Sequence, residues 1–131
     1  EYCVKRAMHI LNKKKKAING SKILLLGVSY KKDISDYRES PAIRVYKELK
    51  KVGAIVEYYD PWVCEFKNIY GESGKSILEL TPEIIADYDL VMITVDHNNV
   101  DYEMVRKNAK MIFDLKDVMK SNTERDNIEV L

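Results

Sequence analysis

The stretch from Gly27 to Ala42, Gly-Val-Ser-Tyr-Lys-Lys-Asp-Ile-Ser-Asp-Tyr-Arg-Glu-Ser-Pro-Ala, constrains this chain more than any other segment. It follows an apolar run, Ile23-Leu24-Leu25-Leu26, and leads into an amphipathic pattern that begins at Pro41. A connection from a strand to the next helix in an α/β unit usually takes about 2–6 residues. This one is far longer, rich in charge, and carries Tyr30 and Tyr37. Open α/β sheets bind ligands outside the carboxyl ends of their strands, so surplus loop length at that place points to function.

The rest of the chain alternates strand and helix patterns. Apolar runs at 22–26, 54–59, 90–95 and 111–115 have the unbroken character of strands buried on both faces of a parallel sheet. Between the first two, Ser40 can cap a helix whose first turn accepts Pro41. Ala42, Val45, Tyr46, Leu49 and Val52 form its apolar face, Lys47, Glu48, Lys50 and Lys51 its polar one, and Gly53 suits its left-handed end. Thr81-Pro82-Glu83 starts a second helix, and a third is predicted over 101–108 with Tyr102 and Val105 toward the sheet. This order predicts an α/β fold: a Rossmann-like, doubly wound, mainly parallel sheet in a three-layer sandwich, forming a single domain. Residues 64–70 read as a short helix, 71–76 as an exposed loop, and the polar tail from 121 as an end that frays or packs only loosely.

Composition narrows the partners. With 131 residues the chain can bury one sizeable core, and 46% hydrophobic with 33% charged residues describes a globular domain. A net charge of +1 offers no electrostatic reason to expect nucleic acid or an anionic membrane. No apolar run approaches the roughly 18 residues of a membrane span. Cys3 and Cys64 lack metal-ligand spacing and cannot build a disulfide framework, so no metal site is expected and a reducing, cytoplasmic setting is. The first residues keep helical spacing through Val4, Ala7, Met8 and Leu11 without a capping signal, as a piece of a longer protein would.

Several residues could carry chemistry. Lys31 and Lys32 stand near the carboxyl end of the first strand, where ammonium groups can hold a diphosphate, or simply pair with Asp33 and Asp36. Arg38 by itself pairs with Asp36 or Glu39. Asp60 ends the second strand where a ribose-binding acid would sit, but no glycine fingerprint accompanies Gly27, so Asp60-Pro61 reads as a turn and NAD binding in the usual Rossmann manner is not expected. Gly71-Glu72-Ser73-Gly74-Lys75-Ser76 fails as a phosphate loop because its first glycine would fall at Ile69. His97 could serve as a base, yet a loop histidine shaping Asn98-Asn99 is the plainer reading. A receiver module of flavodoxin-like type would use Asp60, Thr94 and Lys116, but it needs an acidic pair where this chain has Gly27-Val28. A purely structural assembly domain is a further alternative.

The motif Gly27-Val28-Ser29-Tyr30-Lys31-Lys32-Asp33, continued by Asp36-Tyr37-Arg38-Glu39-Ser40-Pro41-Ala42, resembles the signature of the nucleotide-sugar 6-dehydrogenases. The likeness extends through Gly53-Ala54, Tyr59-Asp60-Pro61, Leu80-Thr81-Pro82-Glu83, Asp87-Tyr88-Asp89 and Thr94-Val95-Asp96-His97. It implies the C-terminal, UDP-binding domain of an NAD-dependent enzyme that oxidises a UDP-hexose or UDP-N-acetylhexosamine to the uronate, with Asp96-His97 and Asp101-Tyr102 most like the N-acetylhexosamine branch. On this reading residues 1–20 end a helix from a central domain, 21–120 form the UDP-binding domain, and 121–131 are a tail. Tyr30 and Lys31 would contact the UDP-sugar, and Lys116 would stand where the UDP-glucose branch has a substrate-binding arginine. Arg38 would reach NAD held by another domain of the same enzyme. No catalytic residue is expected here, because the resemblance places the thioester-forming cysteine in a preceding region and leaves Cys3 and Cys64 as bystanders. A homo-oligomeric full-length enzyme is implied as well.

Overall fold

The computed structural model describes residues 2–119 and 127–130. Five parallel strands form the main sheet: β1 (Lys22–Leu26), β2 (Ile55–Tyr59), β5 (Leu90–Ile93), β6 (Ile112–Asp114) and β7 (Ile128–Val130), in the order β2-β1-β5-β6-β7. Helices α1 (Tyr2–Lys13) and α2 (Pro41–Lys51) cover one face, and α3 (Pro82–Ala86) and α4 (Tyr102–Asn108) cover the other. The sandwich has three layers, as its alternating pattern requires.

Side chains alternate across a strand, so each buried strand feeds two cores. Ile23 and Leu25 of β1 join Leu90, Met92 and Phe113 beneath α1 and α2. Leu24 and Leu26 join Val91, Ile93 and Ile112 beneath α3 and α4. That double burial is why β1, β5 and β6 read as continuous apolar runs. β2, expected to be the same, is an edge strand with only Val56 and Tyr58 buried and Ile55 52% exposed. In α2 the Ser40 hydroxyl accepts the Ala42 N–H and Pro41 opens the first turn. Its buried face is Ala42, Ile43, Tyr46 and Leu49; Val52 lies outside it, half exposed beyond the helix end. α1 buries Val4, Ala7, Ile10 and Leu11, while Met8 is 45% exposed and so is not part of the face its spacing suggested.

Two segments differ from the sequence expectation. Residues 64–76 are neither helix nor free loop but an antiparallel hairpin, β3 (Glu65–Ile69) with β4 (Glu72–Lys75). Tyr70 (φ 52) and Gly71 (φ 77) form its two-residue turn, both left-handed as a type I′ connection requires. Asn68, at φ 56, shifts the register and hides the strand alternation. Fully buried Phe66 pins the hairpin against Tyr46 of α2 and Tyr58 of β2, with ring centroids 5.4 and 5.6 Å away. In the expected fraying tail, Ile128–Val130 instead extend the sheet beside β6, and the Asn127 amide donates to the carbonyls of Arg106 and Ala109. Residues 120–126, which hold the start of that tail, lie outside the described residues. Among the described residues no helix is long and apolar enough to cross a membrane.

Candidate functional site

The chain leaves β1 toward β2 on one side of the sheet and later returns to place β5, β6 and β7 on the other. Such a reversal opens a crevice at the carboxyl ends of the two diverging strands, here β1 and β5. A cleft of about 460 Å³ lies there. Ser29, Tyr30, Lys31 and Lys32 line it from the loop after β1, and Ser40, Pro41, Ala42 and Val45 from the start of α2. Thr94, Val95 and Asp96 follow β5, Leu115 and Lys116 follow β6, and Cys3 of α1 completes the wall.

The backbone at the floor is tightly crossed. Gly27 has φ +102, and a Cβ there would meet Val95 Cβ at 2.5 Å and Val95 N at 3.0 Å. The Thr94 hydroxyl donates to the carbonyls of Leu26 and Gly27 and closes the crossing. Above it the long loop is held in shape by its own polar groups. Tyr30 N–H donates to Asp36 O at 2.6 Å, and Ser29 Oγ donates to Lys31 O at 2.6 Å. Asp33 accepts the Asn98 N–H at 2.8 Å.

Three lysines, Lys31, Lys32 and Lys116, face one acid, Asp96, around the cleft. Among the described residues none of the three lysines makes an ion pair; Lys31 stands 5.6 Å from the Tyr30 ring centroid. The sequence alternative that paired Lys31 and Lys32 with Asp33 and Asp36 is therefore not what the fold adopts. Asp36 instead pairs with Arg38 at 3.1 Å, which holds its carboxyl below the usual range. Arg38 is 80% exposed and stands outside the cleft lining. Lys116 is placed by buried Asp114, whose carboxylate accepts the N–H groups of Lys116, Val118 and Met119. Two donors of the α2 first turn are unavailable, one absent in Pro41 and one taken by Ser40 Oγ. The positive charge lining this cleft thus comes from the lysines, whose flexible ammonium groups act as point charges.

Asp60 and His97, noted in the sequence as a turn acid and a loop histidine, are both buried behind the loop. Asp60 accepts N–H groups from Val28, Ser29 and Trp62 at 2.8–3.1 Å, and His97 Nε2 stands 3.0 Å from its Oδ2. A carboxylate so enclosed is a loop organiser and is inaccessible as a phosphoacceptor, which removes the receiver alternative. His97 does not shape Asn98-Asn99 through its ring; the ring faces Asp60, Ser29 and Asp33. Nothing in the local sequence signals this, because the partners lie 37, 68 and 64 residues away. Burial pushes the Cys3 thiol up, keeping it in its poorly nucleophilic form, and Cys64 is exposed away from the cleft. Neither cysteine has a base beside it in the described contacts.

Residues 24–121 match the UDP-binding domain of the UDP-glucose/GDP-mannose dehydrogenase family. The chain belongs to this family. It is 32% identical over 113 residues to the UDP-N-acetyl-D-glucosamine 6-dehydrogenase of Salmonella typhi, covering 80% of this chain and 26% of that protein. It is 31% identical over 115 residues to the UDP-N-acetyl-D-mannosamine dehydrogenase of Methanococcus maripaludis, covering 82% and 25%. The solved UDP-N-acetyl-mannosamine dehydrogenase of Staphylococcus aureus matches it with a TM-score of 0.68 at 29% identity, over 98% of this chain and 29% of that one. The chain therefore spans about a quarter of the length of the curated relatives it matches. The cleft described above falls within the family-matched residues apart from Cys3.

Proposed function

We infer that this domain binds the nucleotide end of a UDP-sugar for an NAD-dependent 6-dehydrogenase that oxidises the C6 alcohol to the uronate in two steps, in the cytoplasm and for polysaccharide precursor synthesis. A UDP-N-acetylhexosamine is the favoured substrate. The observation that carries this is the convergence of Tyr30, Lys31, Lys32 and Lys116 on one cleft at the sheet's switch point. The diphosphate would lie against the lysines, with Tyr30, 44% exposed, offering a ring for stacking or packing. Binding energy from this remote end can position the reacting carbon held elsewhere.

NAD fits this chain only at its edge. The loop after β1 has Gly27-Val28-Ser29 where a dinucleotide site needs a glycine-rich turn running straight into a helix, and α2 starts only at Pro41. Arg38, exposed beside the cleft, would meet a cofactor carried by another domain, its planar fork suited to phosphate oxygens. The hydride transfer and the cysteine chemistry are assigned to regions outside these residues, and the whole enzyme is expected to be a homo-oligomer.

Calorimetric titration of the chain with UDP, and in parallel with NAD, tests the assignment. UDP binding is expected, weakened about tenfold in Lys31→Ala by loss of one charge-assisted contact, with no heat from NAD. Absence of UDP binding, or full affinity in Lys31→Ala, counts against it.

A further inference from the structure

His97 is enclosed, 1% exposed, and the groups within hydrogen-bond reach of its ring decide where its proton sits. The Asp33 carboxylate also faces Nδ1, at 3.7 Å, but that is beyond hydrogen-bond reach and its Oδ1 accepts the Asn98 N–H instead. Asp33 contributes a backbone N–H at 2.7 Å from Nδ1, which demands a lone pair there. On the other side, Nε2 faces Asp60 Oδ2 at 3.0 Å and Ser29 Oγ at 3.3 Å. The Ser29 hydroxyl already donates to Lys31 O, so at the ring it can only accept, and the Asp60 carboxylate accepts as well. Both demand a proton on Nε2. The backbone at His97 is anchored separately: its N–H donates to the Tyr102 hydroxyl at 3.0 Å, which donates to Val95 O at 3.1 Å.

We propose that His97 is the positioning residue of the cleft, a neutral imidazole held in its Nε2–H tautomer that clips the loop carrying Tyr30 and Lys31 onto the ends of β2 and β5. Two links run from the ring into that loop. One passes through Asp60 to the N–H groups of Val28 and Ser29 and through Ser29 Oγ to the Lys31 carbonyl; the other goes directly to the Asp33 N–H. They enter on either side of Tyr30-Lys31-Lys32 and leave those side chains free to face the cleft. The geometry of the clip stands by itself; its value for binding rests on the UDP reading above.

The tautomer is read directly on the ring nitrogens of a ¹⁵N-labelled chain, with His9→Gln removing the other, exposed histidine. A protonated Nε2 and a bare Nδ1 are expected; the opposite tautomer, or two averaging, overturns the proposal. The Asp33 amide should exchange at least about tenfold more slowly in the native chain than in His97→Phe, with His97→Asn intermediate because its amide oxygen can still accept near the Nδ1 position. Free exchange of that amide in the native chain overturns the clip whether or not UDP binds. In the UDP titration His97→Phe should weaken binding about tenfold, with partial recovery in His97→Asn and unaltered β1, β5 and β6 amide signals. Unchanged affinity in the folded variants removes the positioning role. If the native chain binds no UDP, the functional reading fails, and the tautomer and Asp33 exchange still decide the clip. Should His97→Phe not fold, His97→Asn and the tautomer carry the decision.

Discussion

At the scale of single residues, the site depends on positions where one atom decides. Gly27 combines a left-handed backbone with a contact that leaves no space for a Cβ, since Val95 backbone and side-chain atoms stand within 3.0 Å of it. Gly20 has a similar φ of +88 but nothing within 4 Å. Gly20→Ala should therefore cost only about 1 kcal/mol, the left-handed penalty alone. Gly27→Ala should cost at least about 2 kcal/mol more, because the crossing of β1 and β5 must open. Urea unfolding of the two variants measures the difference. The left-handed turn at Gly53 was legible locally, because a helix end beside a lysine-rich face signals it. The need for glycine at 27 was not, since Val95 is 68 residues distant and only the packing of β1 against β5 brings it near.

Among the elements, the hairpin shows how a weak local signal is completed by a distant contact. Tyr70-Gly71 is not the asparagine-glycine pair that usually marks such a turn, and Asn68 breaks the alternation. What holds β3 and β4 is Phe66, fully buried among Tyr37, Tyr46 and Tyr58. Phe66→Ala removes that wedge and should lower stability by about 3–5 kcal/mol in denaturant unfolding, with the hairpin amides losing exchange protection first. α2 is the opposite case. Its cap, its first-turn proline and its glycine stop all lie within fourteen residues, so the element was legible almost to the residue.

For the molecule as a whole, the sheet is tied at its amino ends by acids as well as by its two cores. Asp89 accepts the Lys22 N–H at 2.9 Å and pairs with Lys16 at 2.8 Å, joining the start of β1 to the turn before β5 and the segment after α1. Burial works against its charge, but Lys16 and the Lys22 N–H outweigh it, and its carboxyl is held below the ordinary 3.8. A carboxyl with a lower value in the folded chain stabilises it fully above the unfolded value and ceases to do so as the pH falls through the folded one. The melting temperature of the native chain should exceed that of Asp89→Asn by a constant margin at neutral pH, worth about 1–2 kcal/mol. That margin should close as the pH drops below about 4. A margin that widens in acid would contradict the assignment.

The sequence by itself determined the layered α/β fold, because strands buried on both faces and a fully capped helix write themselves into runs and spacings of neighbouring residues. It also marked the place of the site, through a loop too long and too charged for a simple connection. Only the tertiary structure decided which charges remain free there: Asp36 is taken by Arg38, Asp33 faces Asn98, and Lys31, Lys32 and Lys116 converge from two separate loops. The same holds for β7, a three-residue strand whose only strong signal is the unpaired edge of β6 beside it. Hydrogen-bond direction and close packing act between residues tens of positions apart, and no local pattern records them.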